Sequence, residues 1–132
     1  MPDSERRKRG ADVIAKVYAG DVVVPPEGAS AFADLMLEQV FAEVWTRPAL
    51  SIRDRRLLIM GAIAALGEGM TWKIQLRAAI KNGELTPDRA RETLIQLVQY
   101  VGYPRAAGLL GPTEEAIRVT RASATRARRH WN

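Results

Sequence analysis

Two stretches of this 132-residue chain hold the side chains best suited to chemistry. "AEVWTRPAL" sets Glu43, Trp45 and Arg47 just ahead of a proline. An arginine offers a planar fork for a carboxylate, a tryptophan an apolar wall, and a glutamate a proton. The same three residues also fit a plainer arrangement, a core-anchoring tryptophan beside a surface ion pair. The second stretch, "TWKIQLRAAIKNGELTP", carries Gln75, and a further glutamine, Gln96, recurs in "LIQLVQYVG". A glutamine side chain donates and accepts hydrogen bonds but exchanges no proton near neutral pH. Gln96 and Gln99, three apart, share a helix face, whereas Gln75 and Arg77, two apart, do not. The run "RDRR", Arg53 to Arg56, reads as a phosphate-binding cluster or as a solvated or subunit-contact face. At a helix start it opposes the macrodipole, which Asp54 partly offsets.

Several chemistries are excluded outright. With no cysteine there is no disulfide and no thiolate nucleophile. A single histidine, His130, cannot build a metal site alone. No nucleotide-binding glycine loop and no Ser-His-Asp set is present, so neither a metal nor a nucleotide cofactor is expected. No apolar run reaches the roughly 18 residues of a membrane span, and no apolar segment follows the basic start "MPDSERRKRG". A cytoplasmic protein without membrane contact is the expectation.

The elements that must position these residues all read as helices. "SERRKRGADVIAKVYAG" puts Val13, Ile14, Val17 and Tyr18 on one side and closes at Gly20. Ser30 can cap a second helix in which Phe32, Leu35, Met36, Val40, Phe41, Val44 and Trp45 recur at three and four. "SIRD" has capping-box spacing before "LLIMGAIAAL", whose all-round apolarity predicts a buried central helix. After the breaker "GEG", Thr71 can cap a fourth helix that ends at Asn82-Gly83. Thr86-Pro87 opens a fifth, and Pro104 opens a sixth that Gly111-Pro112 should kink or split. The expected fold class is all-α, a single domain of six to seven helices.

The formal charge of +5 sits at the ends of the chain. Residues 1–10 carry +2 and residues 116–132 carry +5 from five arginines, while 11–115 carries −2. The chain thus divides into a basic flexible N-terminus (1–10), a helical domain (11–117) and an Arg-rich C-terminal tail (118–132). Solvated ends are the main reading and nucleic-acid binding through the arginines the minority one. Trp131 is the residue able to dock the tail.

The segments "EVWTRP", "LRAAIKNG" followed by "LTP", and "YVGYPRAA", in that order, resemble the carboxymuconolactone decarboxylase family of the alkylhydroperoxidase-D-like superfamily. The likeness spans about residues 12–120. It implies an all-helical fold whose subunits assemble as homo-oligomeric rings, trimers or hexamers. It also implies cofactor-free decarboxylation of a lactone acid from aromatic catabolism, with a small organic acid as the bound partner. Members of that family typically show histidines where this chain has Gln75 and Gln96. Members of the peroxidase branch carry a CxxC at the positions of Glu68 and Thr71, so thiol peroxidase chemistry is excluded. The residues expected at the site are therefore Gln75 and Gln96, with Glu43 and Glu68 as replacement proton donors, and Trp45 and Arg47 for binding the acid.

Overall fold

A computed structural model describes the backbone of residues 2–131 and the side chains of residues 5–129. The described residues are helical throughout, without a strand. Helices α1 (Pro2–Val17), α2 (Ala31–Leu35), α3 (Ile52–Leu66), α4 (Gly69–Lys81), α5 (Pro87–Val101), α6 (Tyr103–Ala106) and α7 (Leu110–Trp131) follow in order. α2 runs directly into a π-helical segment, Met36–Val44, and a 3₁₀ turn, Ala107–Leu109, joins α6 to α7. Contacts divide the chain into two compact units, Met1–Arg55 and Arg56–Asn132, with the division inside α3.

In the first unit α1 packs along the π-helical segment. Ile14 and Val17 of α1 are buried, as are Leu37, Phe41, Ala42 and Trp45. The approach is close because Gly10 has no side chain. A Cβ there would lie 2.6 Å from the Leu37 carbonyl carbon and nearer still to its oxygen. Residues 5–10 belong to α1, and its arginines are bound. Arg7 Nε donates to Asp34 Oδ1 at 2.7 Å and its Nη2 to the Pro25 carbonyl at 2.6 Å. Arg6 pairs with Glu43 at 2.8 Å and donates to the Glu38 carbonyl, while Arg9 donates to that of Ala42. Counting charge along the chain could not reveal partners some 30 residues away.

The stripe expected on the second helix is only partly inward. Ser30 does cap it, accepting from the Ala33 amide at 3.2 Å. Phe32 is 80 % exposed, and Leu35, Val40 and Val44 are exposed as well. The bond from Trp45 N to the Val40 carbonyl, 3.0 Å, spans five residues rather than four. That wider turn rotates later residues away from the 3.6-residue spacing on which the stripe was drawn.

The second unit has its core between α4, α5 and α7, with Trp72, Leu76, Leu94, Leu109 and Ile117 buried alongside Met60 of α3. α3 is not an all-round buried helix. Met60, Ala64 and Arg56 are inside, but Leu58 and Leu66 are exposed. α4 starts earlier than its sequence suggests, because Glu68 and not Thr71 is the cap. Thr86 caps α5 through the Arg89 amide at 3.2 Å, with Pro87 in the first turn as expected. The sixth helix does split, but at the 3₁₀ turn before Gly111-Pro112. Pro112 then falls in the first turn of α7, where a missing N–H costs nothing.

α7 is anchored at its start by Trp72 Nε1, which donates to the buried Thr113 hydroxyl at 2.8 Å; that hydroxyl donates to the Leu109 carbonyl. Lys73 to Glu115 at 2.7 Å and a forked Arg91–Glu114 pair at 2.8 and 3.0 Å add to it. Residues 118–131 continue this helix. Ala122, Ala124, Ala127 and the arginines are strong helix formers, and cations suit a helix C-terminus. The side chains of His130 and Trp131, including the expected docking contact of Trp131, lie outside the described residues.

Gly10→Ala should destabilise the protein by about 1–3 kcal/mol, the usual cost of overpacking against a backbone that must shift. Gly108→Ala, where an added Cβ meets nothing within 4 Å, is the control. Urea unfolding with both variants checks the contrast.

Candidate functional site

The residues expected to do chemistry divide between the units: Glu43, Trp45 and Arg47 in the first, Glu68, Gln75 and Gln96 in the second. In the first unit, the plainer arrangement is the one present. Trp45 is buried and stacks on Phe41, rings 6.0 Å apart and 6° from parallel, while Tyr18 meets Phe41 edge-on. Glu43 is half-exposed and tied to Arg6. Arg47 is exposed; its carbonyl accepts from Arg55 Nη2 at 2.9 Å, which closes the turn leading into α3. Of the three, Arg47 is the one whose side chain faces solvent without an ion pair among the described residues.

Gln75 lies in a buried polar cluster that sequence reading did not foresee. Arg56, from the "RDRR" run, has no solvent exposure at all. Its Nε and Nη2 fork onto Glu84 Oε1 and Oε2 at 2.7 and 2.9 Å. Its Nη1 donates to Gln75 Oε1 at 2.9 Å. Asn82 Nδ2 reaches Glu84 Oε2 at 3.4 Å, so the turn after α4 is fastened to the same group. Burying a guanidinium is costly unless its charge and donors are met, and the Glu84 fork with the Gln75 carbonyl oxygen neutralises the charge and takes three of its five N–H groups. The signal available in the sequence was the spacing Arg56, Met60, Ala64, which puts the arginine on the inward stripe of α3.

Gln96 is exposed on α5, on a different face from the buried Ala90, Leu94 and Val98. Its helix neighbour Gln99 donates to the Tyr103 hydroxyl at 3.3 Å. Gln99 and Tyr103, but not Gln96, edge a groove of about 280 Å³ that is otherwise lined by Leu94, Ile95, Val98, Ala106, Ala107 and Leu110. No charged side chain lines it, so it offers no cation to pair with a carboxylate.

Glu68 serves α4 as its N-terminal cap. Its carboxylate accepts from the Met70 and Thr71 amides at 3.1 and 2.9 Å and from the Thr71 hydroxyl at 2.5 Å. The Thr71 hydroxyl bond, then the Thr71 and Met70 amides, hold its pKa below the ordinary 4.5 against the opposing effect of desolvation. A group kept ionised in this way is a poor proton donor at neutral pH. Among the described residues no cluster of acids and histidines could hold a metal ion, and no helix is long and apolar enough to cross a membrane.

The carboxymuconolactone decarboxylase family model matches residues 30–115. The chain is 27 % identical over 123 residues to 4-carboxymuconolactone decarboxylase of Acinetobacter baylyi, covering 89 % of this chain and 91 % of that protein. It is 30 % identical over 84 residues to nitrosuccinic acid decarboxylase npaB of Metarhizium robertsii, covering 64 % of this chain and 58 % of that one.

Removing Glu84 while leaving Arg56 in place tests the buried cluster. Glu84→Gln should cost about 3–5 kcal/mol, the penalty for an uncompensated buried charge. Replacing both, as Arg56→Met with Glu84→Gln, should recover most of it. A double-mutant cycle by denaturant unfolding reads the difference.

Proposed function

The chain belongs to the carboxymuconolactone decarboxylase family, and from that membership we propose that it binds a small lactone or aromatic-derived acid without a cofactor and decarboxylates it only slowly. The observation that supports slow turnover is the state of Gln75. It is buried, bonded to Arg56, and unable to exchange a proton near neutral pH. The two carboxylates that could replace it as proton donors are engaged elsewhere, Glu43 with Arg6 and Glu68 with the start of α4. Decarboxylation leaves an electron pair on carbon that a proton must meet. A positioned general acid typically contributes about 10² to 10⁴ in rate, so its loss leaves binding possible and efficient turnover out of reach. Arg47 is the proposed fork for the acid, while Trp45, buried against Phe41, anchors the segment that carries it.

Both relatives are named for decarboxylation of a small acid, so carboxymuconolactone and nitrosuccinic acid are the probes to use. Calorimetry should detect binding of one of them, weakened about tenfold or more in Arg47→Ala as a charge-assisted contact is lost. Carbon dioxide release should be slow in the wild type and faster in Gln75→His with Gln96→His. Efficient wild-type release that ignores changes at 75 and 96 would overturn this reading and send the search for the donor to Glu43 and Glu68. No binding of either acid would leave an oligomeric scaffold role in its place.

Self-association into a trimer or hexamer belongs to the same proposal. It is supported by the large apolar side chains left exposed on the single chain, among them Phe32, Leu58, Leu66, Met70 and Tyr100. Light scattering should give about three or six times the 14.6 kDa of one chain; a stable monomer at micromolar concentration would contradict it.

A further inference from the structure

The end of α7 is a helix with nothing packed on it. Every residue from 121 to 129 is exposed, although the helix is firmly held further back by Thr113, Glu114 and Glu115. Five arginines lie on this stretch and its base: Arg118, Arg121, Arg126, Arg128 and Arg129. At 3.6 residues per turn, four of them (118, 121, 128 and 129) fall within an arc of roughly 100°, and Arg126 lies about 60° beyond its edge. None forms an ion pair with a described residue. The acids just upstream are occupied: Arg91 holds Glu114 and Lys73 holds Glu115, and each pairing is the first cause of that carboxyl's lowered pKa, with Arg121 and Arg118 adding smaller contributions. The family match ends at residue 115, so nothing proposed for the acid site makes use of this helix.

We propose that this arginine face is a docking surface for the phosphate backbone of duplex nucleic acid, bound without regard to sequence. The rest of the exposed helix decides between possible partners. Between the arginines stand Val119 and Thr120, both partly buried, and the exposed Ala122, Ser123, Ala124, Thr125 and Ala127. A membrane surface would need bulky apolar side chains opposite the charges, and a protein partner would need aromatic or aliphatic anchors. A phosphate backbone needs neither, because neutralising phosphates and releasing their counterions supplies the binding free energy. The dimensions also agree. From 118 to 129 the helix rises about 17 Å, and each strand of a duplex presents about one phosphate per 3.4 Å of axis, so the helix spans about five phosphates along one groove edge. Each guanidinium can fork onto phosphate oxygens.

The test is fluorescence anisotropy of the full chain with a labelled mixed-sequence 20-base-pair duplex, between 25 and 200 mM sodium chloride. Binding should weaken with salt, with a slope of log K against log salt of about −4 to −4.5 for five contacts. Arg128→Gln alone should reduce that slope by about one, and changing all five arginines to glutamine should abolish binding. Those side chains form no ion pair with a described residue, so circular dichroism of the variants should match the wild type. Should the five-fold variant lose its helix, the single substitution still reads the slope. Absence of binding at 25 mM salt, a slope unchanged by Arg128→Gln, or tighter binding to polyglutamate or to phosphatidylserine vesicles than to the duplex would each overturn the proposal.

Discussion

The second unit depends on how one buried guanidinium is neutralised. Arg56 sits on the inward stripe of α3 with no access to water, and an isolated charge there would cost more than the whole fold has to spare. Three donors are therefore met at once, two by the Glu84 carboxylate and one by the Gln75 amide oxygen. Those acceptors come from the middle of α4 and from the turn that follows it. The cluster thereby fixes the turn of α4 that carries Gln75, the chain reversal at Gly83 and the entry into α5. Position 75 is committed to the fold before any chemistry is asked of it.

The first unit uses the same rule nearer the surface. Arg7 reaches Asp34 and the Pro25 carbonyl, and Gly28 N donates to the other oxygen of Asp34. One carboxylate thus joins α1, the loop before α2 and the start of α2 itself. That multiple engagement, led by the Arg7 bond, keeps the Asp34 carboxyl below its ordinary value of 3.8. Packing supplies the rest: the absent side chain of Gly10 lets α1 come close to the π-helical segment, and Phe41 receives Trp45 on one side and Tyr18 on the other.

What could be read in the sequence, and what could not, follows from the range of each interaction. Local signals held where the determinant lies within a turn of helix. Ser30, Thr86-Pro87 and the Asn82-Gly83 stop are such cases, and the helical class followed from them. Glu68 was missed as a cap because a glutamate is an uncommon one, and its role needed both following amides in view. The inward stripe of the second helix was misdrawn because nothing in "MLEQVFAEV" announces a five-residue hydrogen bond. The bonds of the N-terminal arginines and the burial of Arg56 could not be read, since their partners lie 18 to 37 and 19 to 28 residues distant. Of the residues named for chemistry, their identities were legible, but not which would be buried, capping or free.

The glutamine at position 75 is better understood from its neighbour than from what it replaces. A histidine in the same place would stand beside the Arg56 guanidinium in a buried setting. Burial disfavours its charged form, and the nearby cation does so again, offset in part by Glu84. Its imidazole would therefore titrate below its ordinary range, a mostly neutral acceptor for Arg56 that still exchanges a proton as an amide cannot. Glutamine supplies that neutral acceptor at every pH, with an amide in place of a ring whose titration could leave two positive groups facing each other. The glutamine meets what the fold needs from the position and offers no proton exchange near neutral pH. The helices can then be held together by a side chain that does no acid-base work itself.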